Sequence, residues 1–194
     1  MPFGCLLRDI WWWFNYIFLV IVLLVMTCEP IRLTIRHPLT DVTLFAALVQ
    51  ERLTLRRIMF GDHEHLDGAV VDWDKQSRLS DWGCRISEAL SGRESNLSDI
   101  PLDLRGYTVF RLSVLQSARR IPWGSTISYA ELARCAGYPG AFRAVGSVMR
   151  KNDFPLVVPC HRVICSGGAL GGFSGAVGGR MVDLKRALLQ REKK

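Results

Sequence analysis

Near the C-terminal end, the run Pro159-Cys160-His161-Arg162-Val163-Ile164 puts a thiol beside an imidazole. The apolar residues Pro155-Leu156-Val157-Val158 precede it and read as a buried strand, and the glycine-studded SGGALGGFSG follows as a flexible loop. A cysteine in that setting is a nucleophile, a metal ligand or a small core residue. A nucleophile must be the thiolate, and a free thiol of pKa about 8.5 needs a base or positive surroundings to reach it. A metal ligand needs companions. The six cysteines (Cys5, Cys28, Cys84, Cys135, Cys160, Cys165) form no C-x-x-C pair and are too dispersed for a disulfide-stapled mini-domain. The histidines are His37, His63, His65 and His161. His63 and His65 sit in the acidic stretch GDHEH, but no third ligand stands at zinc spacing, so this reads as a solvated loop and no metal is expected.

The elements that must position the thiol can be read backwards along the chain. Ser128 suits an N-cap for a helix over 129–136, with Glu131 completing a capping box and Gly137 closing it. Pro139 and Gly140 make a turn, and the next helix spans 141–151, AFRAVGSVMRK. This is a helix-turn-helix pattern. Ala141, Ala144, Gly146 and Ser147 are all small, and Gly146 in mid-helix costs about 1 kcal/mol against alanine. Such a helix either packs tightly on a neighbour or lets another surface come close. Residues 108–119 carry Phe110, Val114 and Ala118 as a helical stripe. Residues 93–103 are polar and read as a linker, which places a domain boundary near residue 100. Before it, 31–35, 42–49 and 53–60 read as short strands of a meander broken at Gln50-Glu51-Arg52, and 79–91 as an amphipathic helix.

The chain has 194 residues, 49% of them hydrophobic, which suits one ordinary domain or two small ones with a real core. A net charge of +7 fits a polyanionic partner. Residues 1–30 form an apolar leader. Residues 10–26, IWWWFNYIFLVIVLLVM, reach the lower limit of a membrane-spanning helix, roughly 17–25 residues. A signal peptide lacks its basic start and cleavage site here. A translation start at Met26 is the remaining reading.

Residues 101 to 192 resemble the O6-alkylguanine-DNA alkyltransferases, the methylated-DNA–protein-cysteine methyltransferases. The stretches that carry the resemblance are Phe110 and Val114, IPWGSTISYAELA, RAVG, Asn152-Asp153-Phe154-Pro155, VPCHRVI, GGFSG, and Lys185, Leu188, Leu189 and Glu192, in the family's order. The resemblance implies an α/β N-terminal domain of a small sheet plus helix (31–100). A mainly helical DNA-binding alkyltransferase domain (101–194) follows, with a helix-turn-helix of winged-helix type. It implies direct, irreversible transfer of an alkyl group from O6-alkylguanine, with O4-alkylthymine a second substrate, to Cys160. A soft thiolate suits displacement at saturated carbon. The resemblance assigns His161 as base through a water and Glu192 behind it. The segment 176–183 is longer than usual in the family, which makes Asp183 the fallback for Glu192. It assigns Tyr129 as proton donor to the leaving base and Asn152 as the brace of the active-site strand. Val163, Phe173 and Ser174 map to the base pocket. Arg143 would fill the stack when the base is flipped out, with Ala144, Gly146, Ser147, Met149 and Arg150 facing the minor groove, about 6 Å wide.

The expected partner is duplex DNA carrying O6-alkylguanine, met by a monomer without cofactor, in the cytoplasmic nucleoid or the nucleus. Membrane contact through residues 10–26 is the competing location. The competing functions are a non-catalytic lesion binder, which would lack the cysteine, and a Cys–His hydrolase, which would not need the helix-turn-helix.

Overall fold

The computed structural model describes residues 31–61 and 73–193. The leader with its apolar run 10–26 and the His63–His65 pair lie outside the described residues. Among the described residues no helix is long and apolar enough to cross a membrane.

Three antiparallel strands open the fold, β1 (Ile31–Ile35), β2 (Val42–Val49) and β3 (Arg52–Phe60), in the order β1-β2-β3. Alternation puts Val42, Leu44, Ala46, Leu53 and Leu55 in the core, and a bulge at Arg56 shifts the phase so that Ile58 is the next buried position. The β2–β3 connection is only two residues long, because Arg52 already pairs with Val49. Gln50 and Glu51 both take positive φ, 49° and 62°. That is the type I′ geometry which matches strand twist, although neither residue favours it.

Helix α1 (Trp73–Leu90) covers the sheet with Leu79, Trp82, Ile86 and Leu90, all buried. It begins six residues before the position read from the sequence, since 73–78 are mostly polar helix formers with no apolar stripe. Gly83 is where α1 meets β1, and a Cβ there would lie 2.8 Å from Leu33 Cδ2.

The expected linker is ordered. Leu55 N donates to Pro101 O and Asp103 N to Leu55 O, both at 2.8 Å, so the segment lies alongside β3. Leu97 and Ile100 are buried, and Arg119 Nη2 donates to both of their carbonyls. Its few apolar residues are spaced too irregularly for either period, so pattern alone misses it.

Helix α2 (Val109–Arg119) starts on the cap Thr108. Helix α3 (Tyr129–Cys135) carries the complete Ser128/Glu131 capping box. After a turn with Gly137 at φ 84°, α4 (Phe142–Arg150) follows, and α5 (Arg180–Glu192) packs behind. The two-residue strands β4 (Ile127–Ser128) and β5 (Val163–Ile164) pair in parallel and tie the start of α3 to the Cys-His-Arg run. The expected strand before that run is absent. Residues 154–160 form a buried, tightly turned loop: Val158 N bonds Phe154 O, Cys160 N bonds Val158 O, and Leu156 has φ 72°. Pro155 and Pro159 remove two donors a ladder would need.

Replacing Gln50→Asn together with Glu51→Gly should raise stability by about 1 kcal/mol by relieving the left-handed residues. Denaturant titration checks it; an unchanged midpoint would show that the turn is not strained.

Candidate active site

Cys160 opens a 3₁₀ turn, Cys160–Arg162, rather than lying on an extended chain. In that turn successive side chains point about a third of a revolution apart. Cys160 therefore lines one pocket and His161 another cavity. The first pocket, of about 150 Å3, is walled by Tyr129, Met149, Arg150, Phe173 and Ser174. The second, about 440 Å3, is lined by His161, Arg162, Glu192, Trp123 and Arg119. Cys160 itself is 5% exposed.

Behind the thiol stands a buried charge network. His161 Nε2 and Glu192 Oε1 are 2.8 Å apart. Arg162 grips the same carboxylate with both arms, Nε to Oε2 and Nη2 to Oε1, each at 2.9 Å. Burial alone would raise the Glu192 pKa, but the hydrogen bonds from His161 and Arg162 outweigh it and hold it near about 2. An ionised carboxylate only accepts, so Nε2 must carry the imidazole proton. Burial pushes the His161 pKa down against the pull of Glu192, which keeps the ring neutral. Its other nitrogen, Nδ1, is buried and bonds nothing among the described residues. The ring is thus held with a free basic lone pair on Nδ1.

Burial raises the Cys160 pKa; the Asn152 side chain and the Lys185 ammonium oppose it. Asn152 sits in an Asx turn, with its Oδ1 accepting from Phe154 N and its Nδ2 donating to Val158 O, both at 3.0 Å. Lys185 is fully buried and donates to Val163 O at 2.6 Å. Tyr129 holds its proton firmly, because burial and then Cys165 and Cys160 push its pKa up. Phe173 is buried, its ring 5.8 Å from Phe60 of β3, so the sheet reaches the pocket wall.

Helix α4 buries Val145, Val148 and Met149 and exposes Arg143, Ala144, Ser147 and Arg150. A Cβ on Gly146 would meet nothing within 4 Å, so the protein's own packing does not require this glycine. The Arg143 guanidinium lies 5.5 Å from the Phe142 ring.

The structure brings Tyr129, Gly146, Met149, Arg150, Cys160, Phe173 and Ser174 around one pocket. Val163 does not line it; the side chain is fully buried and only its carbonyl serves, as the acceptor for Lys185. Asn152 braces the buried loop rather than a strand. Asp183 is exposed and paired with Arg186 at 2.5 Å. The sequence reading missed the roles of Arg162 and Lys185. Lys185 entered only as part of the family's pattern, and its signal for burial is a lysine in the apolar stripe with Leu188 and Leu189. Among the described residues no group of three His, Cys, Asp or Glu side chains could hold a metal ion.

A buried thiol with a tautomer-fixed imidazole, set beside a helix-turn-helix, defines a protein that pairs cysteine chemistry with a docking helix. The family profile described as 6-O-methylguanine DNA methyltransferase, DNA binding domain, matches residues 109–194. A methylated-DNA–protein-cysteine methyltransferase of Saccharolobus islandicus is 45% identical over 116 residues, 60% of this chain and 70% of that protein. The constitutive enzyme of that name from Bacillus subtilis is 39% identical over 109 residues, 56% of this chain and 62% of the relative. The crystal structure of Mycobacterium tuberculosis OGT in complex with DNA superposes with a TM-score of 0.63 at 33% identity, covering 82% of this chain and 91% of that one. The chain belongs to the methylated-DNA–protein-cysteine methyltransferase family. It spans 62%, 46% and 54% of the length of three of the curated relatives that it matches.

Glu192→Gln should destabilise the protein at neutral pH. The depressed carboxyl contributes stability that is present above its unfolded pKa, about 4.3, and is lost as pH falls toward about 2. The gap between wild type and variant should therefore close between pH 5 and pH 2 in urea melts. A gap that stays constant would mean that the carboxylate charge contributes nothing.

Proposed function

We propose that the protein repairs DNA by moving the alkyl group of O6-alkylguanine, with O4-alkylthymine as a second substrate, onto Cys160 in a single turnover. The observation that carries this is the buried thiol next to an imidazole whose Nε2–H is held by an ionised Glu192, opening on a pocket beside α4. The Cys160 proton passes to His161 Nδ1, through a water where the gap needs one. The sulfur attacks the alkyl carbon, a C–S bond forms, and the C–O6 bond breaks with its electron pair passing to guanine. Tyr129 donates its hydroxyl proton to the leaving base, and proton exchange with solvent restores Tyr129 and His161. The product is a thioether, a stable bond that no group beside Cys160 among the described residues is placed to cleave, so each molecule acts once.

A pocket of about 150 Å3 is below the usual range for drug-sized ligands, roughly 300–1,000 Å3, and suits one small planar group against Phe173. A base in a duplex must be flipped to enter it. Arg143 is the long side chain on the small-residue face of α4 and would fill the gap, while Arg150 and Lys151 meet phosphates. The α3–turn–α4 unit with the β4–β5 pair supports a winged-helix reading of a DNA-binding domain over 101–194, behind an α/β domain over 31–100. The protein works as a monomer on duplex DNA, in the nucleoid or nucleus. A non-catalytic lesion binder is disfavoured by the presence of Cys160 itself.

Incubation with duplex DNA containing O6-methylguanine should add one methyl, mapped by peptide mass to Cys160, and Cys160→Ala should bind but gain none. Methyl on Cys165 or Cys135 would sink the assignment. Arg143→Ala should slow transfer from duplex by roughly tenfold to a thousandfold, the worth of a few kcal/mol of unstacking, and leave free O6-alkylguanine base nearly unaffected. Equal losses on both substrates would point to damaged folding of α4 instead.

A further inference from the structure

Asp153 follows the active-site asparagine, and three elements converge on it. From the segment before α2, Tyr107 donates its hydroxyl to Oδ2 at 2.7 Å. From α2, Arg111 Nη2 donates to the same oxygen at 2.9 Å and to Lys151 O at 2.6 Å. From β3, Arg57 Nη2 lies 3.2 Å from Oδ1, and Ile58 N donates to the Asp153 carbonyl at 2.8 Å. The Arg111 guanidinium also stacks on the Tyr107 ring at 3.8 Å. Burial and then the Asp153 bond push the Tyr107 pKa up to about 12, so this donor keeps its proton throughout the working pH range.

The neighbouring Asn152 braces the loop that leads to the sulfur. Asn152 uses Oδ1 to hold Phe154 N and Nδ2 to hold Val158 O, and its amide favours the Cys160 thiolate. A carboxylate meeting two cations and a phenol is more than an Asx turn needs, since the turn is closed by Asn152 alone.

We propose that Asp153 is a positioning residue: it clamps β3 and α2 to the loop before Cys160 and so holds in place Asn152 and Val158, whose carbonyl accepts from both the Asn152 amide and Cys160 N. The N-terminal sheet thereby acts on thiol reactivity as well as on stability. The assignment rests on the reading of Cys160 as alkyl acceptor. The other titratable and charged groups around Cys160 are His161 on its own turn, Tyr129 of α3, Arg150 of α4, Cys165 after β5 and Lys185 of α5. Among the described residues Asp153 bonds none of them; losing its negative charge would by itself favour the thiolate, so an upward shift of the profile reports loss of the brace.

The test follows Cys160 modification by iodoacetamide across pH, mapped by peptide mass, in wild type, Asp153→Ala and Tyr107→Phe, alongside methyl transfer from duplex DNA. Asp153→Ala should move the half-maximal pH upward and slow the reaction near pH 7 by about tenfold, the worth of one hydrogen bond to a charged sulfur. The loss should vanish at alkaline pH. Tyr107→Phe, which removes one donor and spares the fold, should shift the profile in the same direction by less. Unchanged profiles in both variants, or a loss equal at every pH, would overturn the clamp and leave Asp153 a structural residue only. A shifted iodoacetamide profile with no methyl transfer in wild type would support the clamp and refute the alkyl-acceptor reading instead.

Discussion

The site depends on one buried carboxylate. A charge taken out of water is costly unless its partners replace the lost solvation. Glu192 meets that condition with two bonds from Arg162 and one shared with His161. Arg162 also donates to Ile121 O, and Gly124 N approaches Glu192 at 3.4 Å. The end of α5, the Cys-His-Arg turn and the loop before β4 are therefore held by a single group. Gly124 is required here: its φ is 70°, and a Cβ would come within 3.0 Å of Glu192 O. The same ionised oxygen that secures the packing also selects the imidazole tautomer. Structure and chemistry share one interaction, and neither can be changed alone.

Around that anchor the labour is divided among elements. The 3₁₀ turn separates thiol from imidazole, so that sulfur faces the pocket and the ring faces α5. Helix α4 buries Val145, Val148 and Met149 and turns Arg143, Ala144, Ser147 and Arg150 outward. The sheet closes the pocket from the far side through Phe60 against Phe173. Lys185 places a buried cation beside the sulfur while tying β5 to α5, at the expense of its own desolvation.

What could be read from the sequence was what rests on local pattern. The three strands alternate, Ser128 and Glu131 cap a helix, and Cys160, His161 and Glu192 stand in recognisable company. What escaped depends on contacts distant in the chain. Residues 155–158 are apolar as a strand would be, yet two prolines and a left-handed Leu156 make them a turned loop. Residues 93–103 look like a linker because their order comes from Arg119, Arg85 and the edge of β3 rather than from their own periodicity. Val163 sits beside the thiol in sequence, but β5 pairing turns it into the core. The bidentate grip of Arg162 needs a partner thirty residues downstream, which no motif reveals.

That separation has a consequence for how the protein is made. Helix α5 follows the thiol in the chain, and it supplies both Glu192 and Lys185. During synthesis the cysteine leaves the ribosome before the groups that surround it. A nascent chain at that stage holds an imidazole with no fixed tautomer and a sulfur with no buried cation. Long-range contacts form late because closing the intervening loop costs entropy first. The thiol is thus chemically ordinary until the helix docks, and its surroundings are completed only when the last helix folds back on it.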